Sequence, residues 1–152
     1  MLAVVQRVSS ASVTVESPPH RAAIGLGLCV LLCVEQGDGE AEAAWMAARL
    51  ARLRIFPDEA GRMNRSLCEV GGDCLVISQF TLAGDCSRGN RPSFVGAAAP
   101  EQAQPLFDRC CALVEAELGR PVGRGVFAAH MEVALVNDGP VTIIVRREPA
   151  AR

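Results

Sequence analysis

Residues 22–35, AAIGLGLCVLLCVE, are apolar at both parities, and so is the CLVI run inside residues 71–82, GGDCLVISQFTL. Successive strand side chains point to opposite faces, so a strand apolar at every position needs cover on both sides. Both segments therefore read as central strands of a sheet, and the rest of the chain must supply the two covering layers.

One layer is helical. GDGE opens a helix over residues 39–53, with Trp45, Met46, Arg49 and Leu50 at helical spacing. A second helix starts at APEQAQ and runs from Pro100 to about Leu118. The flanking segments read as strands: LAVVQRV (2–8), the alternating ASVTVE (11–16), a short one around RLRIFPD, and two in FAAHMEVALVNDGPVTIIV about the Asn137–Pro140 turn. SPPHR (17–21) reads as a loop, because its two prolines forbid regular pairing. The order is ββ-(βα)2-βββ. It predicts an α/β single domain of mixed β-sheets, with both helices packed on one side in β/β/α layers. At 152 residues, half of them hydrophobic, the chain can bury a core of its own. The domain is expected over 1–146, with 147–152 a frayed, disordered tail.

No apolar run is long enough to cross a bilayer. The N-terminal MLAVVQRVSS lacks a charged region before its apolar stretch, so it reads as a strand and not as a signal peptide. A cytoplasmic protein is the expectation. With a net charge of −2, no broad basic surface points to duplex DNA. Every basic side chain apart from the histidines is arginine, which fits a GC-rich coding bias better than phosphate recognition. The seven cysteines form no C-x-x-C pair, and only His20 and His130 could join them. They read as small core residues in a reducing compartment, and neither a metal nor a cofactor is implied.

Standard catalytic machinery is missing from the sequence: no G-x-S-x-G, no P-loop and no dinucleotide fingerprint. His20 follows two prolines and reads as solvated; His130 reads as a strand-surface residue. Two polar breaks remain. In ISQFTL, a strand would alternate Ser78 and Phe80 with Gln79 and Thr81 at its C-terminal end, where α/β sheets present ligands. The alternative is a strand simply reaching water. In LVNDGPVTIIV, proline follows a complete Asn-Asp-Gly turn signal, so Gly139-Pro140 is either turn punctuation or a working part of the backbone.

SQFTL (78–82) and NDGPVT (137–142), together with RGNRPSF (88–94) and FAAHM (127–131), resemble the D-aminoacyl-tRNA deacylase family. AVVQRVSSASVTVE and RIFPDEAGRMN are similar to its pattern too, so the likeness covers about residues 1–146. The resemblance implies a tRNA-binding hydrolase of translation quality control. It would cleave the ester joining a D-amino acid, or glycine, to the 3′-terminal adenosine of tRNA, and would reject L-amino acids.

By that resemblance Gly139-Pro140 is a cis peptide whose carbonyls accept hydrogen bonds from the substrate α-amino group, so that an L side chain is driven into protein. The element enters the pocket of a second subunit, which implies a homodimer with its active site at the interface. Arg7 braces the element. Ser78, Gln79, Phe80 and Thr81 form the catalytic segment, with the Phe80 and Thr81 N–H groups as an oxyanion hole. Thr81 is a candidate nucleophile without an evident base. Phe127 and Met131 line the adenosine pocket. No cofactor, membrane or DNA enters.

Four features depart from the family pattern: His130 where an acid is common, SPPHR in place of a glycine-bearing hairpin tip, Cys33 where glycine is common, and a longer basic tail. Two other readings fit the residues. One is an esterase or amidase of small acylated metabolites; the other is a non-catalytic module that binds RNA ends or nucleotides.

Overall fold

The computed structural model describes residues 1–148, so most of the segment expected to be a frayed tail lies outside the described residues. The two doubly apolar runs do become neighbours. β3 (Gly27–Cys33) and β6 (Asp73–Ser78) pair in parallel, from Gly27 opposite Asp73 to Leu32 opposite Ser78. With β1 (Leu2–Val15), β2 (His20–Ile24), β7 (Gly123–Arg124) and β8 (Glu132–Arg146) they form a six-stranded sheet of order β2-β1-β3-β6-β7, and β8 joins the other edge of β1. The short antiparallel ribbon of β4 (Phe56–Pro57) and β5 (Met63–Arg65) stands apart.

Alternation along these strands builds two cores. Leu28, Val30 and Leu32 of β3, with Cys74 and Val76 of β6, face α1 (Glu40–Arg52) and α3 (Pro100–Leu118). The helices contribute Met46, Leu50, Phe107 and Val114, all essentially inaccessible to solvent. On the opposite face Cys29, Leu75 and Ile77 pack against Val8, Ala11 and Val13, where the long first strand curls over the sheet. The layers are β/β/α, with the long helices on one side. A single-turn α2 (Leu67–Val70) is an addition, capped by the Ser66 hydroxyl and closed by Gly71.

Several expected boundaries move. The two N-terminal strands are one, β1 (Leu2–Val15), because β8 (Glu132–Arg146) pairs across the exposed Ser9–Ser10 stretch that separates them in sequence. The single strand expected over 22–35 divides into β2 (His20–Ile24) and β3 at the exposed Gly25-Leu26. The expected pair of C-terminal strands is likewise one strand, and the Asn137–Pro140 turn is a bulge within it. FAAHM is a turn before β8, so His130 is not on a strand. β7 (Gly123–Arg124) was not foreseen; two residues carry no period. His20 is only partly solvated, since its Nε2 lies 2.8 Å from the Arg124 carbonyl. Among the described residues no helix is long and apolar enough to cross a membrane.

Candidate active site

The SQFTL segment is not a strand beyond Ser78. β6 stops there, Gln79 turns (φ −146°, ψ 80°), and Phe80–Ala83 forms one turn of 3-10 helix. The strict alternation expected for Ser78 to Thr81 therefore fails after its first residue. The backbone explains why: the Gln79 N–H makes the last bond to β3, at 2.8 Å from Leu32 O. Leu82 N–H then turns back to Gln79 O at 3.3 Å. The first N–H groups of any helical turn lack intrahelical acceptors. Gln79 supplies no side-chain cap, so the Phe80 and Thr81 N–H groups have no partner within the turn.

The turn rests on the core. The Cys33 thiol, at the end of β3, lies 3.6 Å from the Phe80 carbonyl, and burial pushes it up to about 11. Gly84 N–H closes the turn on Thr81 O at 3.0 Å. A side chain at Gly84 would meet Thr81 O at 2.9 Å and the Phe94 ring at 3.1 Å, so only glycine allows this approach. The Phe94 ring meets the Phe80 ring edge-on at 5.2 Å. Gln79 Nε2 donates to Thr81 Oγ1 at 2.5 Å. An amide N–H is a donor and cannot take the hydroxyl proton, so this contact does not activate Thr81 as a nucleophile.

Beside the turn lies a cavity of about 610 Å³. Ser78, Gln79 and Phe80 form one lip and His130 another. Phe127 and Met131 stand in its wall, and Phe127 leans on Phe107 with ring centroids 6.3 Å apart. Phe94, the last residue of RGNRPSF, adds to the wall, as do Ala97, Ala98 and, from α3, Ala103. Of these the sequence singled out only Phe94, through its motif; the alanines carry no signal beyond a small, apolar run. The mainly apolar walls suit a flat base, and the backbone N–H pair suits a developing oxyanion.

The second polar break is built differently. Gln6 pairs with Thr142 and Val8 with Asn137, so Asp138–Val141 bulge out opposite the single residue Arg7. Arg7 fills the gap: Nε donates to Asp138 O at 3.0 Å and Nη1 to Ile55 O at 2.6 Å. Its Nε also lies 3.2 Å from the Asp138 carboxylate, while Asn137 Oδ1 accepts from Val141 N–H at 2.8 Å. The Gly139-Pro140 peptide is cis, as is Ser17-Pro18, and both Gly139 and Pro140 are exposed. Gly139 has φ +139°, where L residues are rarely found, and an added Cβ would meet Val141 Cγ2 at 2.7 Å.

The fold thus gathers Ser78, Gln79, Phe80, Phe127 and Met131 around one cavity, with Thr81 just behind the lip. It does not bring Arg7, Gly139 or Pro140 there; none of them lines the cavity of its own chain. Among the described residues no group of three or more His, Cys, Asp or Glu side chains is placed to hold a metal.

The comparisons with known proteins identify the family. The profile of the family described as D-Tyr-tRNA(Tyr) deacylase matches residues 4–146. A D-aminoacyl-tRNA deacylase of Chlorobium limicola is 55% identical over 145 residues, 95% of this chain and 96% of the relative. One from Myxococcus xanthus is 55% identical over 152 residues, covering 99% and 98%. A solved structure described as c-Myc DNA Unwinding Element Binding Protein superposes with a TM-score of 0.89 at 37% identity, covering 97% of this chain and 99% of that one. A probable eukaryotic D-amino acid tRNA deacylase shares the fold at 17% identity, with a TM-score of 0.81 over 95% and 97%. The class is therefore that of hydrolases acting on the ester of aminoacyl-tRNA. Within it, the chain belongs to the D-aminoacyl-tRNA deacylase family.

Proposed function

We propose that this chain removes D-amino acids, and glycine, from the 3′-terminal adenosine of tRNA as a cytoplasmic homodimer serving translation quality control. The adenosine occupies the Phe127 and Met131 cavity, with the scissile carbonyl at the Phe80–Thr81 turn. As its oxygen becomes anionic, the Phe80 and Thr81 N–H groups donate to it. The vicinal 2′-hydroxyl of the ribose assists water or the ester, so no side-chain nucleophile is required. Gly139 and Pro140 of a second subunit supply carbonyl oxygens to the substrate α-ammonium. With that group held, a D side chain points outward and an L side chain runs into protein.

The observation that carries this reading is the separation of the two elements. The bulge is exposed, clamped by Arg7 and outside the cavity of its own chain, as expected for a part that serves another copy. The test is a deacylation assay on matched D-, L- and glycyl-tRNA with the oligomeric state measured in parallel. Turnover of the D and glycyl esters by a dimer, with the L ester spared, is expected. Equal turnover of D and L esters, or full activity in a monomer, would overturn the chiral filter.

A further inference from the structure

Two arginines beside the site have no assigned role. Residues 84–96, GDCSRGNRPSFVG, leave the 3-10 turn and return to form part of the cavity wall. The segment is tied down at its base. Asp85 and Ser93 exchange backbone bonds of 2.8 and 2.9 Å, and Gln36 binds Gly96 O at 2.9 Å and Val95 O at 2.6 Å. Phe94 locks against Phe80. Beyond the Asp85–Ser93 rung the chain makes an exposed tip that carries Arg88 and Arg91.

The charge on this tip is uncommitted. Among the described residues six other arginines lie within 4.0 Å of a carboxylate. Arg49 and Arg147 cover the Trp45 ring. Among the described residues Arg88 and Arg91 have neither a hydrogen-bond partner nor a carboxylate. The segment's one acid, Asp85, is engaged elsewhere: its Oδ1 accepts from Ser87 N–H at 2.8 Å, which holds its carboxyl below the usual range. Arg88 is three chain steps from Asp85 and Arg91 two from Ser93, a reach of at most ~11 Å and ~7 Å of extended chain. Both arginines are therefore tethered to the Asp85–Ser93 rung, and Arg91 stands three residues before Phe94 in the wall of the mainly apolar cavity.

We infer that Arg88 and Arg91 form a phosphate clamp for the single-stranded 3′ end of tRNA, gripping the phosphodiesters just before the terminal adenosine. This rests on the deacylase reading of the cavity. A nucleoside seated there must send its 5′ phosphate out past the rim, and a guanidinium fork matches phosphate oxygens in pairs. The clamp reads backbone and not sequence, so it serves every tRNA that shares this end. It accounts for how a chain of net charge −2 holds a polyanion without a broad basic face.

The experiment compares wild type with Arg88→Ala/Arg91→Ala on D-aminoacyl-tRNA and on the D-aminoacyl ester of adenosine alone, which carries no phosphate. Arg109→Ala, which breaks a surface pair with Glu40, serves as control. The double variant is expected to lose at least tenfold in kcat/KM on tRNA relative to its own rate on the adenosine ester, and the control to lose nothing in that ratio. Two phosphate contacts on single strands contribute a log–log salt slope of ~1.4, so between ~50 and ~200 mM salt the wild type should weaken about sevenfold more than the variant. Equal losses on both substrates, or none on either, would overturn the clamp. Binding of uncharged tRNA by fluorescence anisotropy decides the matter even if the wild type hydrolyses neither ester. That last result would sink the deacylase reading alone, whereas unchanged tRNA affinity in the double variant would sink the clamp alone.

Discussion

The Phe80–Ala83 turn and the Asp138–Val141 bulge both present main-chain groups, yet they are held in opposite ways. The turn is the end of a buried strand, bonded through Gln79 N–H to Leu32 O and backed by Cys33. The bulge interrupts a strand exposed along much of its length and is fixed by side chains, Arg7 from the neighbouring strand and Asn137 from its own. Where the core positions the backbone, nearby polar side chains are dispensable to its geometry. Where side chains position it, each is a point of failure. Substitutions should therefore hurt more at the bulge than at the turn.

The largest effect is expected for Gly139→Ala. The new Cβ would lie 2.7 Å from Val141 Cγ2 and 3.2 Å from Arg7 Nη2, at a φ of +139° that disfavours any side chain. The bulge must shift, and displacement of reacting groups by about 1 Å can cost roughly 100-fold in rate. Turnover of D-aminoacyl-tRNA should fall by that order while far-UV circular dichroism stays near wild type and Tm drops by only a few degrees. Wild-type turnover by this variant would show that the bulge takes no part in the site.

Next is Arg7→Ala, which strips the Asp138 and Ile55 carbonyls of a charged donor in a part-buried setting. Leaving such groups unsatisfied costs about 1–3 kcal/mol. For a chain of this size that corresponds to a Tm lower by roughly 4–8 °C, taking the middle of that range. The Asp138 carboxylate adds little, being about half exposed at 47%. Arg7→Lys should not restore activity, because a single ammonium cannot reach two carbonyls in the directions of the guanidinium fork. Full rescue by lysine would mean that Arg7 supplies only charge.

Thr81→Ala probes the turn and should do much less. The main-chain N–H survives, and the lost hydroxyl only accepts from Gln79 Nε2. A fall in kcat of no more than about tenfold is expected, whereas deleting a true nucleophile costs on the order of 10⁶-fold. A trapped acyl-enzyme on Thr81 would reverse the contrast between turn and bulge.

Much of this architecture was legible in the sequence, for a reason that also explains the misreadings. The doubly apolar runs of β3 and β6 and the helical spacing around Trp45 and Leu50 are periodic over several residues, so their environment is written locally. The fusion of β1 into one strand and of β8 into another depends on their pairing with each other across more than a hundred residues, which no local pattern records. The end of β6 at Ser78 was missed because SQFTL is compatible with either a strand or a turn; the Leu32 and Gln79 bond decides it. The site motifs became legible through resemblance. Composition left ISQFTL as a strand reaching water, and Phe94, whose ring packs on Phe80, entered only through the RGNRPSF motif and not through any period.

The smallest effect sharpens the claim that the core holds the turn. Burial pushes Cys29 and Cys33 up to about 11 and Cys110 and Cys111 up to about 12, and it raises Cys74 further still. Cys68 and Cys86 are exposed. Thiolate is the reacting form, and a thiol of pKa 11 is ionised to about one part in a thousand at pH 8. A thiol reagent at that pH should therefore find Cys68 and Cys86 quickly and the other five only in denaturant. Deacylation of the adenosine ester by the labelled enzyme should fall only slightly, since Cys86 sits on the arginine-bearing loop and not in the turn. A third fast thiol, mapped to Cys33, would carry the opposite meaning. Its sulfur lies directly under the Phe80 carbonyl, so reagent can reach it only if the turn lifts away from β3. The N–H pair would then be held no more firmly than the bulge.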